Sequence, residues 1–127
     1  MHKVLLSIGT NTNACFNLRQ AIKSLLIYFP TIQFTKIIKS KPHGASYKSS
    51  FLNTLGYFET NMSKDEIILR FKSIEKNMGR QTSHKAEGKV IIDIDLIKID
   101  EEVLKPDDFE RSYMSELLSE IMEITNI

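Results

Sequence analysis

A lone cysteine, Cys15, rules out an internal disulfide, and a structural zinc site does not fit a chain this poor in thiols, since such sites want several Cys or His ligands. Cys15 reads as a packing residue. The three histidines, His2, His43 and His84, are scattered, with no carboxylate or Cys at ligand spacing, and read as ordinary surface or loop residues. No apolar run approaches the roughly 20 residues needed to span a bilayer, so membrane insertion is not expected. Met1-His2-Lys3 leads only into a short apolar run at 4–8 with no signal-peptide cleavage region, and a cytoplasmic protein is expected. An excess of either charge is also missing. With 17 Lys and Arg against 16 Asp and Glu, the formal net charge of +1 gives no overall drive towards nucleic acid, so any anion site must be local. Repeats, low-complexity tracts and linkers are absent.

What is present, 42% hydrophobic and 26% charged residues over 127 positions, suits one globular domain spanning 1–127 and is too short for two. Residues 2–8 read as a first strand, closed by Gly9-Thr10-Asn11-Thr12-Asn13, with Asn13 placed to cap a helix over 14–29. Leu18, Ala21, Ile22, Leu25, Leu26 and Phe29 form that helix's apolar face, and Pro30 stops it. A second strand is expected over 32–39, with Ile32, Phe34 and either Ile37 or Ile38 inward. Residues 40–50, containing Pro42-His43-Gly44, form a loop long enough to be functional. The strand at 51–60 alternates, with Phe51, Asn53, Leu55 and Tyr57 on one side and Leu52, Thr54, Gly56 and Phe58 on the other. Ser63 and Glu66 make a capping box for a helix whose Ile67, Phe71, Ile74 and Met78 are its core stripe, and Gly79 ends it. A turn at 100–102, a short extended piece at 103–104 and a break at 106–108 precede a last helix with Met114, Leu117, Leu118, Ile121 and Ile124 inward.

The most informative stretch lies at 90–96, Val-Ile-Ile-Asp-Ile-Asp-Leu. Its β-branched density argues a strand, and period-2 alternation sends Val90, Ile92, Ile94 and Leu96 to one face and Ile91, Asp93 and Asp95 to the other. Two carboxylates side by side on a strand repel unless something positive lies between them. A hard divalent cation is one answer, held by the pair and by substrate phosphates; a solvated polar face is the other. The element order, strand-helix-strand-strand-helix-strand and then a third helix, predicts an α+β fold of the ferredoxin-like, split βαβ kind. It has an antiparallel sheet with two main helices on one face, a C-terminal helix, and an open second face onto which Asp93 and Asp95 point.

Several segments in order resemble one family, 6-hydroxymethyl-7,8-dihydropterin pyrophosphokinase. They are Ile8-Gly9-Thr10-Asn11, Pro42-His43-Gly44 ahead of Phe51-Leu52-Asn53, Ile74-Glu75 ahead of Gly79-Arg80, Ile92-Asp93-Ile94-Asp95, and Leu104-Lys105-Pro106 ahead of Arg111-Ser112-Tyr113. The resemblance implies transfer of diphosphate from ATP to a pterin alcohol in folate biosynthesis, with Asp93 and Asp95 holding two Mg2+ ions. It further implies that Asn53 reads the pterin edge, that Phe51 and Tyr113 sandwich the ring, that Gly44 contributes backbone, and that Arg80 and Arg111 contact phosphates. The partners it implies are small molecules, a pterin and ATP, bound by a monomer. Such roles make physical sense: a flat heteroaromatic ring is well held between aromatic faces with an amide at its edge, and phosphoryl transfer is mainly positioning plus neutralisation of charge. On the residues alone, Phe51 and Tyr113 are equally readable as core aromatics, Arg80 as a complement to a helix end, and Arg111 as a partner of Asp107 or Asp108.

The departures from the family pattern fall in the phosphate-handling part. Thr82 stands where the family has a second arginine, 87–90 read Glu-Gly-Lys-Val where it has Trp-Gly-Pro-Arg, and Asp107 replaces a histidine. Lys85 and Lys89 compensate only in part. Two rival readings follow: a catalytically silent pterin-binding paralogue, and a ferredoxin-like interaction module whose open sheet face binds protein.

Overall fold

The computed structural model describes residues 1–41, 49–105 and 113–125. Gly44 and Arg111, both expected at the site, lie outside them, as do the break at 106–108 and most of the loop at 40–50. Strand β1 (His2–Thr10) runs through the middle of an antiparallel sheet, between β4 (Phe51–Thr60) and β5 (Asp93–Ile99). Two short strands, β2 (Gln33–Phe34) and β3 (Ile38–Ser40), pair with the outer side of β4, and β6 (Glu102–Val103) pairs with β5. Helices α1 (Ala14–Tyr28), α2 (Lys64–Asn77) and α3 (Met114–Thr125) complete the described elements. The fold is α+β, with an open antiparallel sheet.

The expected alternation of β1 and β4 sorts their side chains between two cores. Val4, Leu6, Ile8 and Phe58 join Ile92, Ile94 and Leu96 beneath α1 and α2, which contribute Leu18, Ala21, Leu25, Ile67, Phe71 and Ile74. Phe29 stacks on Phe58 at 4.1 Å between centroids, and Phe71 meets both edge-on. Both main helices therefore cover one face. The capping box that starts α2 is formed in both directions, Glu66 N–H donating to Ser63 Oγ at 3.3 Å and Ser63 N–H to Glu66 Oε1 at 3.2 Å. Gly79 follows α2 at φ 95, the left-handed geometry that ends a helix most cheaply with glycine.

Six expectations are corrected. Asn13 takes a left-handed φ of 44 and makes no side-chain cap; the first turn is tied instead by Asn17, whose Nδ2 donates to Thr12 O at 2.6 Å. Leu26 is 41% exposed, because the buried stripe through Leu18, Ala21 and Leu25 passes to one side of it, and Cys15 is exposed rather than packed. The second strand is broken in two: Leu55 N–H donates to the Thr35 hydroxyl at 2.9 Å, Thr35 Oγ1 and Thr54 Oγ1 meet at 3.1 Å, and Lys36 N–H turns away to Glu120 Oε2 at 2.6 Å. The last strand begins at Asp93, not Val90. Nor is the far face of the sheet fully open, for α3 lays Met114, Leu117 and Ile121 over Leu5, Leu55 and Ile97.

Beside that cover, β5 carries a register shift. Leu6 pairs with Leu96 but Leu5 pairs with Lys98, so Ile97 is an extra residue and the inward set is re-phased. Ile97 faces α3 while Ile99 returns to the helix-side core. Ion pairs dock α3 at its outer side, Lys36 Nζ bonding Glu116.

Two polar devices fix the ends of β5. Ahead of it, the buried Asn11 works as a clamp: its Nδ2 donates to Gly88 O at 2.9 Å and its Oδ1 accepts from Val90 N–H at 2.6 Å, while its own N–H donates to Val90 O at 3.0 Å. After it, Asp100, at φ 51, accepts from Lys3 N–H at 2.9 Å and bonds His2 Nδ1 at 2.7 Å, pinning the β5–β6 turn to β1.

Replacing Asn11 with Ala leaves the Gly88 carbonyl and the Val90 N–H without these partners, and a loss of about 2 kcal/mol is expected in urea denaturation. The hydrogen bond from His2, then that from Lys3 N–H, holds the Asp100 carboxyl below its ordinary range. A depressed carboxylate stabilises the fold above its unfolded-state pKa of about 3.9 and loses that contribution as pH falls through the folded value. The melting-temperature gap between wild type and Asp100→Ala is therefore expected to be open at pH 6 and to close in thermal scans below about pH 4.

Candidate active site

The register of the three central strands assembles the site. Gly9 of β1 pairs with Asn53 of β4 on one side and with Asp93 of β5 on the other, and Ser7 pairs with Leu55 and Asp95. Directly paired residues share a face. Asp93, Gly9 and Asn53 thus make one row and Asp95, Ser7 and Leu55 the next, and because Leu55 packs under α3, both rows lie on the face away from α1 and α2. The alternation expected for Asp93 and Asp95 is what the strand adopts, Ile92, Ile94 and Leu96 being buried behind them.

Gly9 leaves a gap in the first row. A Cβ there would sit 3.3 Å from Asn53 Oδ1 and 3.7 Å from Phe51 Cδ1, so the missing side chain opens a small floor bounded by an amide oxygen and an aromatic edge. Asn53 is 6% exposed, and its Nδ2 is held by Ser40 Oγ at 2.7 Å and Ile38 O at 3.3 Å, which turns Oδ1 over the glycine. Phe51, at the start of β4, is half-buried. Tyr113 is buried at the head of α3, in the far-face core with Leu55 and Ile97.

On the β5 side the carboxylates meet a cation from their own chain. Arg80 Nη1 donates to Glu75 Oε2 at 2.6 Å, to Asp93 Oδ1 at 3.0 Å and to Ile92 O at 3.3 Å. Glu75 Oε2 also accepts from Ile94 N–H at 2.7 Å, so a side chain of α2 caps the edge of β5 that faces away from β1. Burial raises the Glu75 carboxyl above its ordinary range, against the Ile94 N–H and the Arg80 guanidinium, which pull it down, and with Asp93 adding to the rise. Burial alone would lower Arg80, but Glu75 and Asp93 outweigh it and hold the guanidinium more firmly charged. Arg80, expected on phosphates, is in this structure the centre of a carboxylate triad.

Two clefts flank that triad. One, of about 540 Å³, runs along the outer edge of β5 and is lined by Lys64, Ile68, Phe71, Lys72, Leu104 and Lys105 together with Glu75, Arg80 and residues 93–96. The other, of about 450 Å³, lies beyond the C-terminal end of α2, between Lys72, Lys76 and Arg80 and the segment 81–90. That segment folds on itself through a single 3-10 turn (Thr82–Lys85), in which His84 Nδ1 accepts from Gln81 N–H at 3.2 Å and His84 O from Lys89 N–H at 2.9 Å. His84 is a structural residue of this loop. Among the described residues no group of three or more His, Cys, Asp or Glu converges as a closed metal cage. Asp93 and Asp95 offer two hard oxygen donors on an open face, the donor set that suits Mg2+ completed by phosphate oxygens and water.

Sequence reasoning found Asp93, Asp95, Asn53, Phe51 and Arg80, which the fold brings to one end of the sheet. It gave no role to Glu75, Asn11 or Gly9. Glu75 carried a signal all the same, a carboxylate one turn after Phe71 on the otherwise apolar stripe of α2.

Compared with known proteins, residues 5–123 match the profile of the family described as 7,8-dihydro-6-hydroxymethylpterin-pyrophosphokinase (HPPK). Over 106 residues the chain is 28% identical to the 2-amino-4-hydroxy-6-hydroxymethyldihydropteridine pyrophosphokinase of Aquifex aeolicus (strain VF5), a match covering 83% of this chain and 66% of the relative. The chain thus spans just under two thirds of the length of that curated relative. With the match running across nearly its whole length, the chain belongs to the 7,8-dihydro-6-hydroxymethylpterin-pyrophosphokinase family.

Proposed function

We propose that this chain transfers a diphosphate from ATP to 6-hydroxymethyl-7,8-dihydropterin, as a monomeric, single-domain, cytoplasmic enzyme of folate biosynthesis on a ferredoxin-like frame. The strand order, with β1 between β4 and β5 and both main helices on one face, supports the frame. The observation that carries the activity is the row formed by Asp93, Gly9 and Asn53. It sets a carboxylate suited to a phosphate-bound cation in line, across one strand, with an amide over a flat, open floor.

In this reading the pterin ring lies on the Gly9 floor, with Asn53 at its edge and Phe51 and Tyr113 as its aromatic walls. Gly44 and Arg111 complete the pterin and phosphate contacts. Asp93 and Asp95 hold two Mg2+ ions, which when bound neutralise the phosphate oxygens and align the chain for in-line displacement. The pterin hydroxyl oxygen bonds to the β-phosphorus as its proton is lost to solvent, the bond from that phosphorus to the α–β bridging oxygen breaks, and AMP leaves with the electron pair. Arg80 keeps Asp93 oriented through the contact at 3.0 Å and lines both clefts in which phosphates would lie. Glu75, by holding Ile94 N–H, keeps the carboxylate strand in place.

A second reading, a silent pterin binder, is favoured by one observation: Thr82 and Val90 line the cleft beside Arg80 without charge, and Arg80 itself is engaged by two carboxylates. The interaction-module reading is weakened by α3, which covers the central part of the sheet face that such a module would present.

Incubated at high concentration with the dihydropterin alcohol, ATP and Mg2+, the protein is expected to release AMP and form pterin diphosphate in equal amounts, followed by phosphorus NMR. Binding of the dihydropterin with no AMP released would establish the silent reading instead. Asp95→Asn is expected to lower the rate by on the order of 10²-fold while leaving dihydropterin affinity unchanged. Gly9→Val, which puts methyl groups onto the floor between Asn53 and Phe51, is expected to weaken dihydropterin binding about tenfold or more in calorimetric titration, without loss of fold.

A further inference from the structure

The two clefts beside the triad are lined by six cations, Lys64, Lys72, Lys76, Arg80, Lys89 and Lys105, against three carboxylates, Glu75, Asp93 and Asp95, although the whole chain carries a formal charge of only +1. Three of the six are already paired. Arg80 is bound by Glu75 and Asp93, Lys64 Nζ lies 3.0 Å from Glu102, and Lys89 Nζ lies 3.5 Å from Glu87. Lys72 has no ion pair among the described residues, and of all these lysines it alone lines both clefts. It stands on α2 one turn ahead of Glu75 and Lys76, so its ammonium can serve whatever occupies the cleft along Asp93 and Asp95 or the one beyond it.

A triphosphate brings about four negative charges to a site whose own carboxylates repel it, and each must meet a cation or a metal. With the guanidinium of Arg80 held between two carboxylates, we propose that Lys72 is the specificity-determining cation for the polyphosphate arm of the nucleotide. It ties the β- and γ-phosphates to the Asp93–Asp95 cleft and favours the triphosphate substrate over the monophosphate product. A flexible ammonium suits this task because it neutralises as a point charge and needs no fixed fork geometry. The inference rests on the diphosphate-transfer reading and deepens it by assigning the charge that Thr82 and Val90 do not supply.

The test is calorimetric titration of the full chain with Mg2+ and a non-hydrolysable ATP analogue, and separately with AMP, for wild type, Lys72→Ala, Lys72→Arg and Lys76→Ala. Lys72→Ala is expected to weaken analogue binding about tenfold or more, in keeping with loss of one charge-assisted phosphate contact. AMP affinity is expected to stay as in wild type, Lys72→Arg to recover most of the loss, and Lys76→Ala, at a residue that lines only the cleft beyond the end of α2, to lose less than threefold. Equal analogue affinity in wild type and Lys72→Ala would overturn the role of Lys72 and leave the enzyme reading standing, as would an equal loss for analogue and AMP. A wild type that binds no nucleotide at all would overturn the enzyme reading, and the role of Lys72 with it.

Discussion

The site depends on how the outer edge of β5 is held. A strand that carries two aspartates at alternate positions is a poor strand on its own account, and its edge away from β1 would leave Ile94 N–H facing the end of α2 unpaired. Glu75 solves both problems by reaching across from α2 to accept that N–H at 2.7 Å while holding Arg80, which in turn neutralises Asp93. The cost is a carboxylate buried at the junction of helix and sheet, its pKa raised by that burial, and the fold accepts this cost because the alternative is an unpaired backbone group beside an unneutralised charge. Asn11 closes the segment that leads into the strand, and Asp100 pins the turn that follows it. Between these two polar fixtures, seven residues of β5 carry both the inward core and the outward carboxylates.

Local chemistry was legible in the residues wherever one interaction decides the outcome. The Ser63 and Glu66 capping box, the left-handed Gly79, the alternation of β4 and the outward pair Asp93 and Asp95 all follow from nearest neighbours, and the structure adopts them. What was not legible depends on partners distant in sequence. The break between β2 and β3 exists because Thr35 bonds across to Thr54 and Leu55, and because Lys36 is drawn to α3. The register shift opposite Leu5 and Leu6 cannot be read from either strand alone, yet it is what returns Ile99 to the helix-side core after Ile97 has packed on α3. Of the proposed site residues, the carboxylates and Asn53 stood out by type and position and Phe51 and Arg80 only through the resemblance, whereas Gly9 and Asn11 acquire meaning only once β1 is seen to lie between β4 and β5.

In the proposed function the pterin side and the phosphate side meet on one strand, β1. Gly9 belongs to the row of both, with Asn53 on one flank and Asp93 on the other, and in the proposed function this register would set the pterin hydroxyl beside the phosphate-binding carboxylates. The cationic clefts lie outside β5, at the end of α2, across the carboxylates from Asn53 and Phe51.

The claim that these rows form one site is tested most directly by mapping backbone amide shifts of the full chain, first with the dihydropterin alcohol and then with Mg2+ and a non-hydrolysable ATP analogue. The account predicts shifts at Gly9, Phe51 and Asn53 on the first addition, followed on the second by shifts at residues 93–96 and at the C-terminal half of α2. Perturbations confined to α3 or to the outer face of α1, with the three central strands unmoved by either ligand, would contradict it.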